Sequence, residues 1–250
     1  MLRTQRRLEA ARRLAGLGLA CLLLLAAAPA SATAASKPYV LDLGVRSDFV
    51  AQTDLVQCVG ASMQMMLNMM RPGADRTAAT QLALQKAARA WSPDRPDGRQ
   101  RKGANVLGWA IGLSLQGAGP YKVVGTSTLQ EAMLIAAQAM RMTGKPVGLL
   151  VWRGRHAWVM SGFRATSDPF VDGARVTAAI VEDPLYPNVS SVWGRSPAPG
   201  AALTLKELGR QFVPRRSSSN PFNSPSLAGL GGKYVLVLPY VYAFPTLRLL

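Results

Sequence analysis

The pattern of apolar and polar positions divides the chain into a helical first half and a strand-rich second half. Apolar residues recur at helical spacing over 58–70, 78–91 and 105–116, so each of these segments is predicted to form a helix. Arg71-Pro72-Gly73 ends the first helix, because proline restricts the residue before it and glycine favours a turn. The three helices are expected to form one helical half.

A change of period marks the predicted sheet. A fourth helix is predicted to start at Thr128, because Thr128 and Glu131 have the spacing of a capping box before the apolar run 132–142. Short apolar runs bounded by turn residues then predict strands. These strands, with one earlier segment, are 39–45, 147–152, 156–163, 176–182 and 234–239. Helices followed by a mostly antiparallel sheet predict an α+β fold, with surface loops at 92–103 and 215–232.

Residues 1–34 have the organisation of a secretory signal peptide. Five arginines precede or flank the start of an apolar run at 14–28, and small residues follow, so cleavage is expected after Ala32 or Ala34. The apolar run is too short and too rich in alanine to favour a permanent membrane span. We therefore expect residues 35–250 to form one domain, secreted from the cytoplasm and without a stable membrane anchor.

The chain is strongly basic, and this limits its partners. Removing the five arginines and one glutamate of the signal peptide lowers the net charge from +16 to +12. Such a surface suits anionic partners, including a cell-wall polymer, although arginine-rich loops also keep a secreted chain in solution. The basic segment 95–102 has no interleaved aromatic residues, so no nucleic acid is expected. One cysteine and one histidine provide no ligand cluster, so neither a metal nor another cofactor is expected.

Two chemically reactive side chains each occur once in the predicted mature protein. Cys58 is the only cysteine once Cys21 leaves with the signal peptide, and His156 is the only histidine. A lone cysteine or histidine is often structural, but an unpaired thiol in an oxidising compartment indicates reactivity. A cysteine attacks carbonyl groups as a thiolate, which the start of a helix and a neighbouring imidazolium both favour. Cys58 as nucleophile and His156 as its base are therefore expected to converge.

Two further residues are expected to complete the site. Asp183 ends a predicted strand and is expected to orient the ring of His156. Its alternatives nearby in sequence are Asp168, Asp172 and Asn188. Gln52, six residues before Cys58, is expected to donate its amide to the developing oxyanion, together with the backbone N–H of Cys58.

The residues around these positions resemble the motif blocks of papain-like cysteine peptidases. The blocks are Gln52…Cys58-Val-Gly-Ala-Ser, Gly154-Arg-His156-Ala-Trp-Val and Val181-Glu-Asp183-Pro. Within that superfamily, the chain is most similar to the bacterial branch related to bacteriocin leader-processing peptidases. The resemblance implies a helical half that carries the cysteine helix and a sheet that carries histidine and aspartate. It also implies a Cys-His-Asp triad with a glutamine in the oxyanion hole.

The expected function is that of a secreted cysteine peptidase, which hydrolyses a peptide or protein substrate through an acyl-enzyme. One alternative keeps the same site in a cell-wall amidase, an endopeptidase or an acyltransferase. The other is a noncatalytic secreted binding protein on the same scaffold. In that protein, Cys58 would be buried away from His156.

Overall fold

A seven-stranded antiparallel sheet organises the part of the chain that the computed structural model describes, which comprises residues 37–71, 73, 75–92, 103–216 and 225–241. Its strands are β1 (Tyr39–Asp42), β2 (Tyr121–Thr126), β3 (Val147–Val151), β4 (His156–Ala165), β5 (Val176–Glu182), β8 (Ala201–Thr204) and β9 (Tyr234–Pro239). They lie in the order β2-β9-β3-β4-β5-β8, and β1 pairs with the second half of β4. A separate small hairpin is formed by β6 (Val189–Ser190) and β7 (Gly194–Arg195).

Helices cover both faces of the sheet. They are α1 (Cys58–Met70), α2 (Ala78–Ala90), α3 (Val106–Leu113), α4 (Leu129–Thr143) and the short α5 (Leu205–Leu208). Because side chains alternate along a strand, β4 and β9 contribute to two separate cores. Ala157 and Val235 pack with the first three helices, whereas Trp158 and Leu236 pack with α4. None of the helices in the described ranges is long and apolar enough to cross a membrane.

The α+β prediction is confirmed, and α1, β5 and β9 have the predicted bounds. The fourth helix starts where its cap was predicted, since the Thr128 hydroxyl accepts the backbone N–H of Glu131 at 3.1 Å. The third helix ends early, at Leu113, and continues as a π-helical turn at Ser114–Ala118, inside which Gly117 has a φ of 75°. The first strand stops at Asp42, whose carboxylate accepts the N–H of Gly44 at 3.1 Å and so forms a local turn.

The predicted set of strands is incomplete, and one missed strand lies among the helices. The sheet also includes β2, which lies between α3 and α4 and was not predicted, and β8 was missed as well. Both are edge strands whose pairing depends on distant partners, since β2 pairs with β9 and β8 with β5. Of the two predicted loops, residues 93–102 and 217–224 lie outside the described residues, as does the predicted signal peptide. Within the second loop, Pro225–Leu230 forms a 3-10 turn.

Close contact between α1 and α2 depends on Gly60. A Cβ atom at this position would lie 2.7 Å from the carbonyl oxygen of Gln81 and 2.9 Å from the Cβ of Gln85. The N–H of Gly60 donates to the side-chain oxygen of Gln85 at 2.8 Å, so the two helices touch through a buried polar contact. Any side chain here would push apart the helices that place Cys58.

We expect Gly60→Ala to lower the free energy of unfolding by about 1–3 kcal/mol, the usual cost of an overpacked interior. Chemical denaturation of the two proteins measures the difference. Gly103→Ala is the matched control, because its Cβ would meet only the carbonyl oxygen of Val56 at 3.6 Å. Equal stability of Gly60→Ala and the wild type would show that the helices can separate without cost.

Candidate active site

Cys58 is the first residue of α1 and is a partly buried, free thiol. A helix start leaves backbone N–H groups without partners inside the helix. Here Gln85 accepts the N–H of Gly60, and no side chain from the preceding Gln57 caps the helix. Among the contacts of the described residues, the N–H of Cys58 has no acceptor. This group is therefore free to donate to an oxygen that approaches the sulfur.

A hydrogen bond between α1 and β4 sets the direction of the thiol. The hydroxyl of Ser62 donates to the carbonyl of Ala157 at 3.2 Å, and both residues are fully buried. Because residues four apart lie on the same helix face, Cys58 lies on the side of α1 that faces the start of β4. His156 is the first residue of that strand.

His156 and Asp183 form a buried pair. Nε2 of His156 donates to Oδ1 of Asp183 at 2.7 Å, and the two side chains are 4% and 0% exposed. The same carboxylate oxygen accepts the backbone N–H of Leu185 at 2.8 Å. Since β4 and β5 are antiparallel neighbours, the start of β4 lies beside the end of β5. Asp183 holds Nε2, which leaves Nδ1 of the ring for the sulfur of Cys58.

The surroundings of His156 favour its charged form. Burial lowers the pKa of the imidazole, but hydrogen bonding to Asp183 and to Cys58, together with the charges of both groups, outweighs burial and raises the pKa to about 9. The ring is therefore an imidazolium at neutral pH. The structure thus brings together three of the four predicted residues, namely Cys58, His156 and Asp183.

A backbone hydrogen bond connects Gln52 to the segment that carries Asp183. Its N–H donates to the carbonyl of Pro184 at 2.7 Å, which fixes its loop beside the residue that follows Asp183. Its side-chain amide donates to the carbonyl of Asp54 at 2.8 Å, while Oε1 is buried without a hydrogen-bond partner among the described residues. A primary amide carries two N–H groups, so one remains for a substrate oxygen. Among the described residues, no hydrogen bond joins this amide to Cys58.

Two buried glutamines on α2 hold the loop that carries Gln52, and sequence reasoning missed them. Gln81 accepts the N–H of Thr53 at 2.8 Å and donates to the carbonyl of Ala51 at 2.9 Å. Gln85, one turn later, donates to the carbonyl of Val56 at 2.9 Å. The loop before Cys58 is therefore fixed at three backbone positions. The only signal in the sequence is a pair of amides four residues apart on one helix face.

Trp152 was also missed, although it touches the imidazole. Its ring stacks on His156 with centroids 4.1 Å apart and planes at 22°, and Trp193 lies parallel to it at 6.2 Å. Trp152 and Arg153 both have positive φ, 58° and 57°, which is rare and strained for bulky residues. Gln211 holds this turn, because its backbone carbonyl accepts the Trp152 N–H at 2.9 Å and its side chain accepts the indole N–H at 2.7 Å.

The alternative orienting residues lie elsewhere or make other contacts. Asp168 forms a salt bridge with Arg141 at 3.3 Å and accepts the N–H of Phe170. Asp183 is therefore the carboxylate that the structure places against His156.

Within the described ranges, no group of three or more histidine, cysteine or acidic residues is placed to hold a metal ion.

Glu182, next to Asp183, is buried and 4% exposed. Burial raises the pKa of this carboxyl to about 7; a backbone hydrogen bond from Gly200 opposes the shift, and the charges of Asp42 and Asp48 add to it. Its Oε2 has no hydrogen-bond partner among the described residues. The end of β5 thus carries two buried acidic groups of different kinds, one paired with an imidazole and one near half-protonation at neutral pH.

Comparison with known proteins finds no family model and no curated protein that matches this chain.

The single histidine makes the ionisation of the site directly measurable. We expect NMR titration of the untagged chain to give a His156 pKa of about 9, and a lower value in both Asp183→Asn and Cys58→Ala, because each change removes a group that favours the imidazolium. In Asp168→Asn the pKa should stay the same. The paired site would be contradicted if the His156 pKa did not fall in Asp183→Asn.

Ionisation of the buried Glu182 carboxyl should lower the free energy of unfolding as pH rises. Its pKa in the folded chain, about 7, lies above the ordinary value of 4.5, so the folded state binds more protons between these values and loses stability through that range. At pH 8 we expect Glu182→Gln to increase the free energy of unfolding by on the order of 2 kcal/mol. The difference should disappear near pH 4. Denaturation at both pH values, with exposed Asp172→Asn as control, measures the effect; equal gains at both would contradict it.

Proposed function

We propose that this chain is a papain-like cysteine peptidase that acts outside the cytoplasm and cleaves peptide bonds through an acyl-enzyme. One observation carries the proposal: a helix begins at a free thiol that is close enough to an imidazole to raise its pKa, and a buried carboxylate bonds to that imidazole. A helical layer that supplies Cys58 and a sheet that supplies His156 and Asp183 support the papain-like assignment. The signal-peptide pattern at residues 1–34 supports export.

The first half of the reaction forms a thioester. The thiolate of Cys58 attacks the carbonyl carbon of the scissile bond, and the carbonyl electrons move onto oxygen. The free N–H of Cys58 and the remaining N–H of the Gln52 amide stabilise this oxyanion. The imidazolium of His156 then gives its proton from Nδ1 to the nitrogen of the leaving group. The C–N bond breaks, and an amine departs while the acyl group stays on the sulfur.

The second half releases the acyl group. The neutral imidazole of His156 takes a proton from water, and the resulting hydroxide attacks the thioester carbonyl. The C–S bond breaks, a carboxylic acid leaves, and the thiolate–imidazolium pair is restored. Throughout, Asp183 keeps the ring in one orientation and favours its positive charge. The stack of Trp152 on the ring shields part of it from water.

The two alternatives differ in how the structure supports them. A noncatalytic binding protein would have its thiol buried away from the imidazole, whereas here hydrogen bonding and charge couple Cys58 to His156. A cell-wall peptidase or acyltransferase would use the same site. The basic balance of the chain favours it as a second candidate, because cell-wall polymers are anionic. Release of stem peptides from purified cell wall would distinguish it from a peptidase of soluble substrates.

We expect Cys58→Ala to abolish both labelling by an iodoacetamide probe and hydrolysis of fluorescein-labelled casein. His156→Ala should lower the hydrolysis rate at least a hundredfold, the usual contribution of a general acid and base, and should slow labelling at neutral pH. Asp183→Asn should lower hydrolysis at least tenfold. These rates are measured by fluorescence release and by mass spectrometry of the labelled chain.

Asp168→Asn is the matched control for the carboxylate, because it removes the same charge from a residue paired with Arg141. We expect it to retain the wild-type rate within about twofold, as for an exposed ion pair. Turnover in Cys58→Ala at the wild-type rate would refute the thiolate mechanism. Equal losses in Asp168→Asn and Asp183→Asn would remove Asp183 from its assigned role.

A further inference from the structure

Three segments beside His156 are joined into one wall of the site. They are the turn 152–155, the hairpin 189–195 and the segment 209–216. Gln211 connects all three, since it bonds Trp152 at two places and its amide donates to the carbonyl of Trp193 at 2.8 Å. The N–H of Arg216 donates to the carbonyl of Arg153 at 3.1 Å. These hydrogen bonds hold the other two segments against the turn that leads into His156.

All charged residues of this wall are positive. Its three segments contain six arginines, which we call the arginine rim, and no aspartate or glutamate. The rim consists of Arg153, Arg155, Arg195, Arg210, Arg215 and Arg216. All except Arg215 are exposed. In the described parts of the chain, the two salt bridges join Arg141 to Asp168 and His156 to Asp183, so neither involves the exposed arginines of the rim.

Like charges held together on a rigid wall repel one another unless an anion lies between them. The nearest acidic group in sequence is Glu207, which interacts with Arg210. Arg153 and Arg155 lie within three residues of the reacting imidazole. Guanidinium groups bind carboxylates through two parallel hydrogen bonds. The rim is thus suited to carboxylates that a substrate brings to the site.

The chemistry of the site decides which part of the substrate meets the rim. The acyl part becomes bonded to the sulfur of Cys58, whereas the leaving amine must receive its proton from His156. The part of the substrate that follows the scissile bond therefore passes the His156 side of the site, where Trp152 and the rim lie. Resting on the proposed peptidase function, we propose that the site selects peptides with acidic side chains directly after the scissile bond.

The first test identifies the cleaved bonds directly. The wild-type chain is incubated with a random peptide library, and the new N-termini are sequenced by mass spectrometry. Aspartate and glutamate should be enriched in the first positions after the cut and not before it. Arg155→Gln with Arg195→Gln should lower the preference for acidic over neutral sites about fivefold, the effect of two exposed charge pairs. Arg164→Gln with Arg175→Gln removes the same charge from exposed positions outside the wall and should leave the preference unchanged.

The second test needs no turnover, so it separates this inference from the function on which it rests. Cys58→Ala is titrated with two fluorescently labelled peptides, one with alternating glycine and glutamate and the other with glutamine in place of glutamate. The glutamate peptide should bind more tightly, and the Arg155→Gln and Arg195→Gln changes should remove the difference. Equal binding of the two peptides would overturn the inference. Cleavage of the library without acidic enrichment would overturn it while leaving the peptidase function intact.

Discussion

The buried hydrogen bond between His156 and Asp183 is the constraint on which the site depends. Burial alone opposes a charge on the imidazole, yet the neighbouring carboxylate and thiol reverse that effect and raise its pKa to about 9. Such a pair is stable only when both members are present, because removing one leaves the other buried without a partner. The sheet makes the pairing possible. Because β4 begins beside the end of β5, His156 and Asp183, which are 27 positions apart in sequence, meet at the same end of two neighbouring strands.

The helix that carries the thiol is fixed by polar contacts in an otherwise apolar interior. Methionines of α1 fill the core around it, but such side chains pack adaptably and give little directional control. Ser62, Gln81 and Gln85 supply that control, since each is a buried residue that makes a hydrogen bond to a backbone carbonyl outside its own helix. Gly60 permits these contacts by letting two helices approach closely. Apolar burial stabilises this half of the fold, and the amides determine where the loop before Cys58 lies.

The sequence allowed the fold class and the three central residues to be predicted, for physical reasons. Long periodic segments such as α1 and β5 are set by local patterning. Cys58 and His156 stand out because each occurs once in the predicted mature chain, and Asp183 because it ends a strand. The edge strands β2 and β8 were missed because their stability comes from distant partners. Gln81, Gln85 and Gln211 were missed because glutamine is common and only the folded contacts give these amides a role.

The turn between β3 and β4 shows why local propensity fails at this site. Positive φ at both Trp152 and Arg153 costs on the order of 1–3 kcal/mol for each residue, and an asparagine–glycine turn would avoid that cost. The chain instead places an indole where it stacks on His156 and an exposed arginine directly after it. Both hydrogen bonds from Trp152 to Gln211 hold the strained conformation. The same strained turn therefore holds the indole against the imidazole, and its two arginines form part of the rim that we propose to bind the departing part of a substrate.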